Sequence, residues 1–354
     1  MRDIDKIRDV LSAAHLRGDR LVLATVMSVE GSVYRGAGAR MVVHADGRTE
    51  GAVSGGCLEA DVVARAPDVL VSGVPEVVRY DTRAPDDVLL GLGMGCQGII
   101  DLLLEPLGGS TLEAAAELYE RIARRRDVVT LLTVVTSAEG HAVGSRLLID
   151  AKGDPLEGVP SIASLGDGLA REEIAPATSV IICGGGTDAI PLARLAKSMG
   201  WHVTVVDHRA AFATADRFPH VDDVVCLDLT HGDQSLASRV LLDDRTMAVV
   251  MAHSATHDRA YLRTMLDAGA RYIGVLGPRR RTLELLGAGS DGEAPIPPTV
   301  HSPAGLDLGA ETPEEIALSI VAEIAAVSTA RAGGMLRERS GPIHERRATR
   351  TLAR

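Results

Sequence analysis

Aromatic residues are scarce in this chain of 354 residues, which has one Trp, five Tyr and two Phe. Stacking bases on aromatic faces is the usual way to hold single-stranded nucleic acid, and it has almost no material here. Lysine is nearly missing as well, with Lys6, Lys152 and Lys197 the only examples. The formal charge of -11 opposes any partner held by phosphate neutralisation, so no nucleic-acid partner is expected. No apolar run is long enough to span a bilayer. Residues 1–10 alternate charged and apolar positions and lack the apolar core of a signal peptide. Four cysteines without framework spacing fit a reduced, cytoplasmic protein.

Apolar residues make up 46% of the chain, so its cores are built from Ala, Val, Leu and Ile. The length suits about two or three domains at roughly 100–200 residues each. Residues 4–16 carry apolar positions at helical spacing. Residues 21–29 read as a buried strand, a Gly-rich turn over 31–38 follows, and residues 40–44 read as the next strand. Asp46-Gly47 marks a hairpin turn. The same order then recurs: a helix over 112–125, a strand over 128–136, Glu139-Gly140, a strand over 145–150, and Lys152-Gly153 as the turn. This predicts a first α/β domain over 1–175 with a degenerate internal repeat. Ser164-Leu165-Gly166-Asp167 falls opposite Ser54-Gly55-Gly56-Cys57 in that comparison. The second copy has no thiol there, so the scaffold does not need Cys57.

Pro176 marks a boundary. Beyond it, strands at 179–183, 203–207, 224–227, 247–251 and 272–276 alternate with helices. That pattern predicts a Rossmann-like domain over 176–328, with a doubly wound parallel sheet. Thr312-Pro313-Glu314-Glu315 is a capping box opening the last helix. The Arg-rich residues 329–354 read as a disordered basic tail.

Gly184-Gly185-Gly186-Thr187-Asp188-Ala189 follows a strand and opens a helix, as in G-x-G-x-x-A. Gly184 and Gly186 are candidates for close approach to an anion, and Asp207 stands where a ribose-binding acid belongs. Asp188 would repel a pyrophosphate. An NAD(P)-dependent oxidoreductase therefore stays open as a function, without being favoured. Arg35 and Arg40 flank Gly36-Ala37-Gly38 and are candidates for an oxyanion. Gly277-Pro278-Arg279-Arg280-Arg281 is either an anion clamp or a solvated helix start. His253 and His257 have helical metal spacing without the Glu of H-E-x-x-H, and His253 could meet a ligand at a sheet switch point.

Two thiols sit behind glycines, in Ser54-Gly55-Gly56-Cys57 and Gly93-Met94-Gly95-Cys96. Glycine permits positive φ and close approach of a ligand. Cys57 would open a helix over 58–65, where the dipole favours a thiolate. Cys183 and Cys226 end apolar strands and read as core residues.

The stretches 24–32, 51–59, 91–98, 105–107, 184–189, 203–209, 279–280 and 305–315 together resemble the XdhC/CoxI family. That resemblance implies a cytoplasmic accessory protein for molybdenum hydroxylases of the xanthine dehydrogenase type. Such a protein would bind the molybdenum cofactor (molybdopterin) and protect it. It would hold the cofactor while a cysteine desulfurase supplies a terminal sulfur, then insert it into the apo-hydroxylase. It also implies Cys57 and Cys96 as the metal or sulfur contacts, with Gly55, Gly56 and Gly95 shaping their turns. The family often has Pro where Tyr34 stands and Gly where Gln97 stands. A non-catalytic docking platform for a hydroxylase, and a homodimer, are the remaining open readings.

Overall fold

The computed structural model describes residues 3–31, 33–81, 98–138, 140–230, 235–287 and 295–340. The chain divides after Pro176 into two compact units.

The first unit begins with α1 (Asp3–Arg17), β1 (Leu21–Gly31), β2 (Arg40–His44) and β3 (Thr49–Gly51). It continues with α2 (Glu59–Ser72), β4 (Glu76–Asp81) and β5 (Gly98–Leu107). These strands form an antiparallel sheet in the order β3-β2-β1-β5-β4. Next come α3 (Ser110–Arg124), β6 (Val129–Val134), β7 (Arg146–Ile149), β8 (Pro155–Gly158) and β9 (Leu169–Ile174). They form a second antiparallel sheet in the order β8-β7-β6-β9. With β1, β2, β3 and β5 set against β6, β7, β8 and β9, the two orders are the same. The repeat is therefore a repeat of topology.

Side chains alternate across a strand, and β1 shows why its sequence reads as one apolar run. Leu21 and Leu23 enter a core shared with α1, α3 and the second sheet. Val22, Ala24 and Val26 enter another core, under α2. Both faces are covered, so no charged residue appears before Glu30 at the strand's end.

The copies also match in detail. Gly38 and Gly144 both have positive φ, and their N–H groups donate to Val26 and Val134 at 2.8 and 2.9 Å. Gly51 and Gly158 both have positive φ, and a side chain at either would strike the backbone of Arg40 or Arg146. Counting from Gly51 and Gly158 corrects the expected register. Ser161, not Ser164, stands opposite Ser54, and Ser164 stands opposite Cys57. The second copy still lacks the thiol, and short 3-10 turns replace α2.

The second unit contains β10 (Ser179–Cys183), α4 (Ala189–Ser198), β11 (His202–Asp207), β12 (Asp223–Cys226) and β13 (Thr246–Val250). It ends with α5 (Ala255–Asp267), β14 (Tyr272–Val275), α6 (Arg279–Leu286), β15 (Val300–His301) and α7 (Pro313–Ser328). All strands are parallel, in the order β12-β11-β10-β13-β14-β15. This is the doubly wound Rossmann order, with its switch point between β10 and β13. α4 and α7 cover one face, and α5 and α6 cover the other. Thr312 and Glu315 close the capping box expected at the start of α7.

Cys183 is fully buried, but Cys226 is exposed, against the core reading of both. β12 is an edge strand, and its burial pattern leaves Cys226 exposed between the buried residues Val225 and Leu227. In the tail, Leu336–Glu338 form a single 3-10 turn, and residues 341–354 lie outside the described residues.

Candidate functional site

Cys57 is half-buried at the end of a loop that Ser54 and Glu59 organise. The N–H groups of Gly56, Cys57 and Leu58 each donate to Ser54 Oγ at 3.1 Å. Ser54 Oγ donates in turn to Glu59. The other Glu59 oxygen accepts from the N–H groups of Val53 and Ser54 at 3.1 and 2.8 Å. Burial raises the Glu59 pKa, but the hydrogen bonds from Ser54 outweigh it and hold the carboxylate below its usual range. The helix starts at Glu59 with Leu58 as N-cap, so Cys57 stands just outside its first turn. Gly56 has φ of 109°, and the space where its side chain would be is open. Gly55 lies under the ring of Tyr34. Ser54 stands in the thiol motif and Glu59 in the stretch 51–59, but their roles as organisers of the loop emerge only from these contacts.

Cys96 and Gly95 lie outside the described residues. Gly98, two residues beyond Cys96 in sequence, pairs with Gly31 of β1.

The two arginines of the first hairpin separate. Arg35 is half-buried in the turn beside Tyr34 and keeps a partner of its own. Arg40 is corrected as an oxyanion candidate, because its side chain is 1% exposed. Its guanidinium donates to Tyr119 Oη at 2.8 Å, to Gly38 O at 2.6 Å and to both oxygens of Glu172. The equivalent Arg146 of the second copy reaches back to Glu105 of the first. These reciprocal ion pairs lock the copies together.

The glycine loop of the second unit is largely spent on its own fold. Gly184 has φ of 123°, and its N–H donates to Val206 O at 2.7 Å. A side chain there would lie 2.5 Å from Met251 O. These demands account for Gly184 without an anion. Gly186 differs, since the space beside it is open. Asp207 is fully buried and is corrected as a ribose-binding acid. It accepts from Gly185 N–H at 2.7 Å and from Arg209 at 2.8, 2.9 and 2.8 Å. Both oxygens are already taken. Burial raises its pKa, but the hydrogen bonds from Arg209 and Gly185 prevail and hold it below the usual range.

His253 has a left-handed backbone with φ of 57°, and its Nε2 lies 3.8 Å from Asp188 across the switch point. Arg281 is committed to buried Asp258, whereas Arg279 and Arg280 are exposed at the start of α6. Among the described residues, no group of three or more His, Cys, Asp or Glu side chains could hold a metal ion.

His208 and His257 stack with ring centroids 3.6 Å apart. Burial first, then the neighbouring His257 and Arg209, lower the His208 pKa against the pull of Asp207 and Asp228. A base with a depressed folded pKa makes the folded state bind fewer protons than the unfolded one. Its stabilisation is complete above the unfolded value of about 6.5 and declines as pH falls toward the folded one. The thermal midpoint of the second unit should therefore fall between about pH 7 and pH 5. His208→Gln should flatten that dependence in a pH series of calorimetric melts. An equal slope in the variant would refute it.

Fold and site together define a class: a two-unit α/β protein with a thiol loop on a duplicated antiparallel unit and a Rossmann unit after it. The family model "XdhC and CoxI family" matches residues 14–81, and "XdhC Rossmann domain" matches residues 180–324. The chain is 34% identical over 321 residues to a probable xanthine dehydrogenase subunit of Bacillus subtilis (strain 168), covering 86% of this chain and 92% of that protein. The chain belongs to the XdhC and CoxI family. It is also 27% identical over 319 residues to the molybdenum cofactor insertion chaperone PaoD of Escherichia coli (strain K12), covering 89% of this chain and 85% of that protein. A crystal structure of a xanthine dehydrogenase from Bacillus halodurans is similar, with TM-score 0.78 and 30% identity over 94% of this chain and 97% of that one. Among the described residues, no helix is long and apolar enough to cross a membrane.

Proposed function

We propose that this protein binds the molybdenum cofactor as cargo and inserts it into a molybdenum hydroxylase of the xanthine dehydrogenase type. The observation in this chain that carries the reading is the Ser54–Glu59 loop. It holds a half-buried thiol beside an open glycine, just before a helix N-terminus. A cysteine sulfur is a soft ligand of the kind molybdenum accepts. The relation to a molybdenum cofactor insertion chaperone supports the same cargo. Cys57 is the first metal or sulfur contact in this reading and Cys96 the second, with Arg35 a candidate for the cofactor's phosphate. The carrier would hold the cofactor while a cysteine desulfurase supplies the terminal sulfur, within the cytoplasm.

Full-length protein made in a cofactor-producing host and purified without oxygen should retain molybdenum and a fluorescent pterin. Cys57→Ala should reduce molybdenum per chain at least about tenfold, the effect of losing roughly 1.4 kcal/mol of binding. Folded wild-type protein carrying neither metal nor pterin would refute the function.

A further inference from the structure

We propose that Tyr34 is the platform on which the flat pterin ring of the cargo stacks, an inference that rests on the cargo proposed above. The chain has only eight aromatic residues, the sum of one Trp, five Tyr and two Phe. Tyr80, Tyr119, Trp201, Phe218, Tyr261 and Tyr272 are buried. Phe212 is half-buried, with Arg209 and Arg217 at 3.7 and 5.0 Å from its ring centre. Tyr34 alone among the eight is left in solvent, 74% exposed. Cores this short of aromatics have not taken it up, so packing does not account for it.

Its placement is specific. A Cβ built on Gly55 would lie 3.2 Å from Tyr34 Cγ and 3.4 Å from both Cδ atoms. Near-equal distances to these three atoms mean that the ring presents a face to Gly55. That face is seated on the loop leading to Cys57, and the ring otherwise stands open to solvent. Gly55 has no positive φ, so backbone geometry does not demand glycine there. A Cβ at that position would instead require the ring to shift by a few tenths of an ångström. A flat heterocycle laid on the ring would sit beside the Cys57 loop, with Arg35 next in sequence. Stacking tolerates any flat π-system, and its removal typically weakens binding about five- to 150-fold.

The test is titration of the full-length protein with a phosphate-bearing pterin lacking molybdenum, followed by pterin fluorescence. Wild type should bind and quench the probe. Tyr34→Ala should bind about five- to 150-fold more weakly, and Tyr34→Phe should restore affinity to within about twofold. Equal affinity of Tyr34→Ala and wild type would overturn the proposal. In a parallel measurement of molybdenum retention, wild type that holds the metal while Tyr34→Ala binds the probe normally would overturn the stacking role alone. Wild type that holds no metal but binds the probe through Tyr34 would overturn delivery and support the stacking site. Wild type that binds neither would overturn both.

Discussion

Arg40→Ala should destabilise the first unit by about 3–5 kcal/mol, the usual cost of leaving one member of a buried ion pair alone. Arg40 is 1% exposed, and its donors are spent on Glu172, Tyr119 and Gly38. Removing it strands the Glu172 carboxylate and the Tyr119 hydroxyl and also leaves a cavity. The damage should appear as faster hydrogen exchange in β2, β9 and α3, where these groups reside. Replacing Arg40 and Glu172 together by Met should cost less than either single change, because no charge is then left buried. Single variants within about 0.5 kcal/mol of wild type would show that the pair does not hold the copies together.

Gly184→Ala should destabilise the second unit by about 2–6 kcal/mol, from roughly 1–3 for backbone strain and 1–3 for overpacking. The residue has φ of 123°, and its new Cβ would meet backbone atoms Met251 O and Ala252 N at 2.5 and 2.6 Å. Backbone cannot swing aside as a flexible side chain can. Gly186→Ala, with open space beside it, should stay within about 0.5 kcal/mol. Trp201 is the single tryptophan and lies in a core of this unit, so its fluorescence in urea reads both variants. Equal midpoints for the two would show that the loop tolerates what its geometry forbids.

The Rossmann unit was legible because each of its central strands is covered on both faces, which writes a continuous apolar run into the sequence. β15, only two residues long, left no such run. β9 was hidden for another reason: Glu172 and Glu173 make it look like a surface segment, yet Glu172 points at buried Arg40. The site shows the same division. Cys57 stood out through its glycines, while Tyr34 drew notice only as a departure from the family pattern. Its contact with Gly55 joins residues about twenty positions apart and leaves no local signature.

Local chemistry by itself determined most of the elements, though not β9 or β15, together with the boundary near Pro176, the duplication, the capping box of α7 and the thiol loop as a place of interest. Those features rest on backbone propensities, periodicity and turn residues, all of which act over a few neighbours. Tertiary structure alone decided what the charged groups do. Arg40 and Asp207 look like ligands for an external group, but burial makes an unpaired charge too costly, so the fold supplies partners from distant strands or adjoining turns. It also decided that Cys226 is exposed, since a strand cannot announce that it lies at an edge. The one aromatic side chain left in solvent could be recognised only after the folded cores had claimed the others.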